Sequence, residues 1–213
     1  MTFDHIGYYI FYENLTLRII GRLAFPIFAY MIAEGCKYTR NKLRYLSTIF
    51  IFAVFCQVSS SVITKILYMN IFVTFALSVS LIFVYEFFRK RKTLMSFALV
   101  VLVFIALLFI ALGMPKILPK SLEFEIDYGI IGILCPFLVY VGFNKVTKLA
   151  LLALGLIGLS IMYFDIQWFS LFALIPLFLY SGKRGRFKLK YLFYFYYPLH
   201  IGVICLISYF IGA

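Results

Sequence analysis

Charge is what this chain has least of. Only 13% of its 213 residues are charged, and the acidic share is eight Asp and Glu against twenty Lys and Arg. Soluble domains carry roughly 25% charged residues, so the chain lacks the polar surface that a water-soluble fold requires. Cysteine is scarce too: Cys36, Cys56, Cys135 and Cys205 make neither a CxxC pair nor a metal-ligand spacing, and read as small packing residues. No Walker loop, GxGxxG or HExxH is present, which leaves ATPase, dinucleotide-binding and zinc-protease chemistry without support. No metal site is expected, and there is no Ser-His-Asp sequence signature. The opening MTFDHIGYYIF has no basic region and no small-residue cleavage site, so no cleavable signal peptide is expected.

What fills the chain is apolar: 65% hydrophobic and 21% aromatic residues, at a mean hydropathy of +1.04. A stretch of about 20 apolar residues spans the ~30 Å hydrocarbon layer. About eight such stretches follow one another: Leu15–Cys36, Tyr45–Ile66, Met69–Phe88, Leu94–Gly113, Tyr128–Phe143, Lys148–Phe164, Gln167–Gly182 and Tyr191–Ile211. Ahead of them lies a stub, Met1–Tyr12, too short to span. The expected fold is an all-α polytopic membrane bundle, one domain over residues 1–213, with the lipid bilayer as its partner and no internal repeat.

The net charge of +12 raises the question of nucleic acid, but its distribution answers otherwise. Loops Lys37–Arg44, Arg89–Lys92, Asn144–Lys148 and Lys183–Lys190 hold 4, 4, 2 and 5 basic residues, 15 of the 20. The alternate loops hold Lys65, Lys116 and Lys120 beside Glu13, Glu123, Glu125, Asp127 and Asp165. Lysine and arginine favour the cytoplasmic side. The basic loops are therefore expected in the cytoplasm and the C-terminus outside, with no nucleic-acid partner.

Arg18 and Arg22 fall inside the first long span, where an ionisable group usually lines a cavity or a site. At 1.5 Å per residue, Arg22 and His5 both lie roughly 10 Å from the outer surface and His200 roughly 14 Å from the inner one. Both histidines and one arginine thus share a layer, with Gln57 in the outer half and Asn70, Asp127 and Asp165 nearer the surface. The bland readings stand beside this. Arg18 snorkels outward, Arg22 pairs with Asp4 or with carbonyls, His200 bonds a neighbouring helix, and Glu34 and Glu86 pair with the basic loops beside them. The chemistry such a layer supports is acyl transfer. A histidine takes the proton from an attacking amine or hydroxyl, an aspartate such as Asp4 orients the imidazole of His5, and an arginine holds an oxyanion or a phosphate.

DHIG at Asp4–Gly7, RIIGRLAFPIFAYMIAEG at Arg18–Gly35 and the following Thr39-Arg40-Asn41 resemble the TraX family. So do MNIFVTFALS at Met69–Ser78, DYGIIGIL at Asp127–Leu134, QWFSLFALIPLFLYSGKRG at Gln167–Gly185 and KYLFYFYYPLHI at Lys190–Ile201. The resemblance runs in order over nearly the whole chain. It implies a bacterial cytoplasmic membrane protein that moves acetyl groups from cytosolic acetyl-CoA to an extracytoplasmic acceptor, because the founding member acetylates the N-terminal amine of a conjugative pilin. In the related membrane acyltransferases a histidine near the end of the first span is the catalytic candidate, a position that falls here on His5. Arg22 falls on the arginine of RLAFP, His200 on PLH, and Asp127 with Tyr128 on DYG; these four are expected to position donor or acceptor. Members carry an apolar stretch before DHIG. Here Asp4 is preceded by three residues, so a truncated first helix is expected.

Two other classes compete. A transporter or flippase would use the same polar layer for permeation and show inverted repeats with broken helices; neither is evident, although Pro26, Pro136, Pro176 and Pro198 are able to interrupt helices. A non-catalytic subunit of a conjugation or surface-assembly system would leave Arg22 and His200 paired to each other or to backbone with no cavity reaching the cytoplasm, whereas a solvent tunnel from that side to His5 would favour the enzyme. The acceptor in the acyltransferase reading is a pilin-like amine, a glycan hydroxyl or a lipid head group.

Overall fold

The computed structural model describes residues 1–11, 14–163, 165–183 and 190–211. The turn at Glu13 and most of the expected basic loop Lys183–Lys190 lie outside these. Helices follow in the order α1 Thr2–Tyr9, α2 Leu15–Arg22, α3 Ala24–Tyr38, α4 Lys42–Thr64, α5 Ile71–Arg91, α6 Leu94–Leu108, α7 Met114–Ile117, α8 Gly129–Val141, α9 Lys145–Tyr163, α10 Leu174–Leu179 and α11 Lys190–Ile211. A π-helical turn, Phe109–Gly113, continues α6, and a 3-10 helix, Asp165–Ala173, precedes α10. The all-α expectation needs one small amendment: strands β1, Tyr68–Met69, and β2, Glu125–Ile126, pair in parallel.

Five helical stretches among the described residues are long and apolar enough to cross a bilayer: Leu15–Tyr38, Lys42–Val62, Ile71–Arg91, Leu94–Ile117 and Lys145–Tyr163. Leu94–Ile117 has a mean hydropathy of 3.1 with only 6% of it buried, which requires an apolar medium around it. The expected span Tyr191–Ile211 is met by the 22 residues of α11, while two other expected spans give shorter helices. The expected span Tyr128–Phe143 yields a helix of 13 residues, opened by Tyr128 in the left-handed conformation (φ 61°) and closed at Gly142. The expected span Gln167–Gly182 is a 3-10 helix followed by the six residues of α10, with Pro176 inside. At 8 residues, α1 rises about 12 Å and does not span.

Two compact units divide the chain, one made of Met1–Phe28 with Leu156–Ala213, the other of Ala29–Gly155. In the second unit Leu81, Leu107, Phe124, Ile126 and Ile133 form the core under the β1–β2 pair. Its acidic residues meet the expected partners. Glu86 pairs with Lys42 and, at 3.0 Å, with Lys90. Glu34 pairs with Lys148, whose ammonium also lies 5.9 Å from the Tyr30 ring centroid. Gln57 accepts from the backbone N–H and the side-chain amide of Asn70, both at 3.0 Å, which fixes the start of α5 against α4.

In the first unit α1 packs on α2 and on α11, and α2 packs on the 3-10 helix. The span that reads as one helix in sequence is broken at Leu23, directly after Arg22. Pro26, buried in the first turn of α3, has no N–H to return to the Arg22 carbonyl, so the ladder is interrupted there.

Candidate functional site

The site begins with a glycine. A Cβ at Gly21 would lie 2.8 Å from the Asp4 Cα, closer than real side chains come to backbone, so only glycine lets α1 approach α2 this closely. Gly7 supports the same contact, with the Arg18 Cγ at 3.0 Å from where its Cβ would stand. The approach brings the Asp4 carboxylate to Arg22, whose Nη2 donates to Oδ1 at 2.6 Å. Arg18 turns to the same oxygen, its Nε at 3.9 Å, rather than outward only. The second amino group of Arg22, Nη1, donates to Oε1 of Gln167 at 3.5 Å. One guanidinium therefore joins α1 to the 3-10 helix across α2. With 15% of its side chain exposed, it is largely desolvated, and in such a place a paired guanidinium is tolerated where a lone one is not.

The two histidines meet across α1 and α11. His5 Nδ1 lies 3.0 Å from the Met1 carbonyl oxygen and 3.4 Å from His200 Nε2, and His200 Nδ1 lies 2.8 Å from the Tyr196 carbonyl oxygen. Carbonyl oxygens only accept, so in the neutral pair both Nδ1 atoms carry the proton. His200 Nε2 is then the acceptor facing His5 Nδ1–H, and His5 Nε2 is the lone-pair nitrogen. The rings stand edge to face, centroids 5.1 Å apart at 78°. Tyr196, one turn before His200, stacks on it at 5.0 Å and 13°, and the Tyr196 hydroxyl shares a short hydrogen bond with Thr2 on α1. His200 is buried, at 6% exposure. The orienting contact expected from Asp4 is thus made by the Met1 carbonyl, while the Asp4 carboxylate is engaged by the arginines.

The 3-10 helix contributes residues that sequence reading left unassigned. With three residues per turn its side chains stack in rows, and one row, Gln167, Ser170 and Ala173, is buried at 3%, 0% and 0%. Arg22 has donors only, so the Gln167 amide must turn its oxygen to it and its NH2 away. That NH2 and the Ser170 hydroxyl have no hydrogen-bond partner among the described residues. An unmatched buried donor costs about 1–3 kcal/mol. In a pattern search Gln167 marks only the polar edge of an apolar run, and a lone serine is not distinguished from packing. The signal that would have found them is their spacing of three.

Asp127 and Tyr128 belong to the other unit. Tyr68 donates to Asp127 Oδ1 at 3.3 Å, and the Asp127 carbonyl accepts from Thr74 at 2.8 Å. Tyr128, at the left-handed position, precedes α8, and a Cβ at Gly132 would press on its side chain. These contacts tie the β2–α8 turn to α5 and β1. No group of three His, Cys, Asp or Glu that would hold a metal occurs among the described residues.

Comparison with known proteins finds relatives over most of the chain. A probable fimbrial assembly protein, FimC of serogroup H1 from Dichelobacter nodosus, is 28% identical over 220 residues, covering 89% of this chain and 81% of that protein. An uncharacterized protein, RP591, of Rickettsia prowazekii (strain Madrid E) is 37% identical over 65 residues, 30% of this chain and 24% of that protein. No solved structure matches the chain. The family model of the TraX protein matches residues 1–208, a stretch that takes in both histidines, the Asp4–Arg22 pair and the 3-10 helix, and the chain belongs to the TraX family.

Proposed function

We propose that the protein is a membrane-embedded acetyltransferase, moving an acetyl group from cytosolic acetyl-CoA to an extracytoplasmic amine on a pilin- or fimbrial-type subunit. The observation that carries this reading is the imidazole pair: His5 Nδ1 faces His200 Nε2 at 3.4 Å, beside the Asp4–Arg22 ion pair, on helices that are otherwise apolar. His5 Nε2 takes the proton of the attacking amine. The positive charge that then develops on His5 is shared through Nδ1–H with His200 Nε2 and the Met1 carbonyl, and the neighbouring Asp4 carboxylate favours it through space. His200 is thus a positioning residue that holds the tautomer and spreads the charge. Acetyl-CoA acts as donor substrate. The likeness to a protein named for fimbrial assembly favours a protein amine over a glycan or lipid acceptor.

In this reading the shorter α8 and Ile166–Leu179, together with α11, complete an eight-span bundle, with the basic loops in the cytoplasm and the C-terminus outside. The 15-of-20 sorting of lysine and arginine supports that orientation.

The test uses the purified protein in lipid vesicles with acetyl-CoA and a peptide bearing a free N-terminal amine. His5→Ala is expected to lower the transfer rate by about 10²–10⁴-fold, the usual worth of a general base. A non-catalytic assembly subunit draws support from the internal neutralisation of Arg22 by Asp4. That reading requires no transfer by the unaltered protein, or transfer indifferent to His5.

A further inference from the structure

The buried row of the 3-10 helix has donors without acceptors, next to a cluster read here as an acyl-transfer site. Gln167 is tied by its oxygen to Arg22, which is tied to Asp4, the residue before His5. The amide oxygen is thereby committed, and the NH2 group is turned the other way in a residue 3% exposed. One 3-10 turn further, about 6 Å along the axis, the Ser170 hydroxyl is fully buried and equally unmatched among the described residues. Two neutral donors on one row, the first of them oriented by Arg22, suit an oxygen that gains negative charge during a reaction.

We propose that the Gln167 side-chain N–H and the Ser170 hydroxyl hold the acyl carbonyl oxygen of the thioester and stabilise the oxyanion formed from it. This rests on the acetyltransferase reading above and assigns its electrophilic half. The acceptor nitrogen forms a bond to the carbonyl carbon, and the C=O π pair moves onto the oxygen, between the two donors. His5 Nε2 takes the proton released by the nitrogen. The oxyanion then collapses, the C–S bond breaks, and the CoA sulfur leaves with the electron pair and receives that proton from His5. The products are the acetylated amine and the free thiol. Donors placed for the oxyanion act in the transition state more than in the ground state, so their loss appears in kcat rather than in KM.

Gln167→Glu separates this role from a structural one. Glutamate keeps an oxygen facing Arg22 and converts the contact into an ion pair, so support of the cluster is preserved, while both N–H donors are replaced by an acceptor. In vesicles with acetyl-CoA and the peptide amine, Gln167→Glu is expected to lose about 10²–10³-fold in kcat, with KM for acetyl-CoA little changed. Ser170→Ala should show a smaller loss in the same parameter. Should Gln167→Glu transfer acetyl at the rate of the unaltered protein, the oxyanion role is overturned while the acetyltransferase reading stands. Should the unaltered protein transfer none, both readings go together. A measurement that does not depend on a variant folding is the infrared carbonyl band of acetyl-CoA, isotopically labelled at that carbonyl and bound to the unaltered protein. The two donors lower its frequency relative to acetyl-CoA in buffer, and an unshifted band contradicts the proposal.

Discussion

Arg22 donates to acceptors on two elements, Asp4 Oδ1 at 2.6 Å and Gln167 Oε1 at 3.5 Å, through two different nitrogens. A lysine at this position carries the same charge on a single point and reaches one of them. Arg22→Lys is therefore expected to keep much of the thermal stability lost in Arg22→Ala and still to lose transfer activity, because Gln167 is no longer oriented. The pair with Asp4 is strongly coupled. Removing either partner leaves a charge in an apolar surrounding, a cost of about 3–5 kcal/mol when fully buried and less here, with side chains 15% and 23% exposed. In a double-mutant cycle of Asp4→Asn and Arg22→Gln, read as thermal midpoints in detergent, the double variant should lose less than the two singles together. Strictly additive losses would show that the ion pair does not hold α1 in place. At this scale much was legible in the sequence. Two histidines and an arginine at one depth in an apolar chain have few partners but each other, and Asp4 was among those foreseen for Arg22. Glu34 and Glu86 likewise found basic-loop lysines. Gln167 and Ser170 were not legible as a pair, since neutral polar residues at a span's edge carry no energetic alarm until their burial is known.

Close approach of helices is the feature that assembles the site at the level of elements, and it depends on Gly21. Gly21→Ala places a methyl group 2.8 Å from the Asp4 Cα and forces α1 away from α2. Such overpacking costs about 1–3 kcal/mol, and here it also lengthens the Asp4–Arg22 contact. Gly202, in α11 near His200, has nothing within 4 Å of where its Cβ would stand. Gly202→Ala should be neutral or stabilising by about 0.5–1 kcal/mol through helix propensity. Thermal midpoints and transfer rates of the two variants check this: equal behaviour would remove the close-approach argument. Where helices begin and end was only partly legible. The long apolar runs located α4, α5 and α6 within a few residues, because burial in hydrocarbon demands internally bonded backbone over the whole thickness. An interruption at Pro26 was open from the sequence and is found at Leu23, whereas the long 3-10 stretch and the 13-residue α8 were missed. The break depends on Pro26 and the start of α8 on a left-handed Tyr128, local backbone effects that hydropathy does not register.

For the molecule as a whole, the sorting of lysine and arginine is the most direct consequence of composition. A membrane-impermeant thiol reagent applied to intact cells should label a cysteine placed at Lys120, in a 3-10 turn, and spare one placed at Lys145, the first residue of α9, both exposed. The opposite pattern would invert the orientation and put the histidine pair at the wrong depth for an external acceptor. The apolar exterior, as on Leu94–Ile117 with 6% burial, was fully legible in the sequence, since no other environment accommodates it. How the spans group into two compact units was not, because nothing in hydropathy distinguishes one apolar neighbour from another. The central claim, that the cluster around His5 and His200 transfers acetyl groups, is tested most directly by mass spectrometry of exported surface subunits from cells with the gene, without it, and with the His5→Ala form. An N-terminal acetyl group present only with the unaltered gene is the expected result. The same acetylation in cells lacking the gene, or undiminished in His5→Ala, would contradict the account.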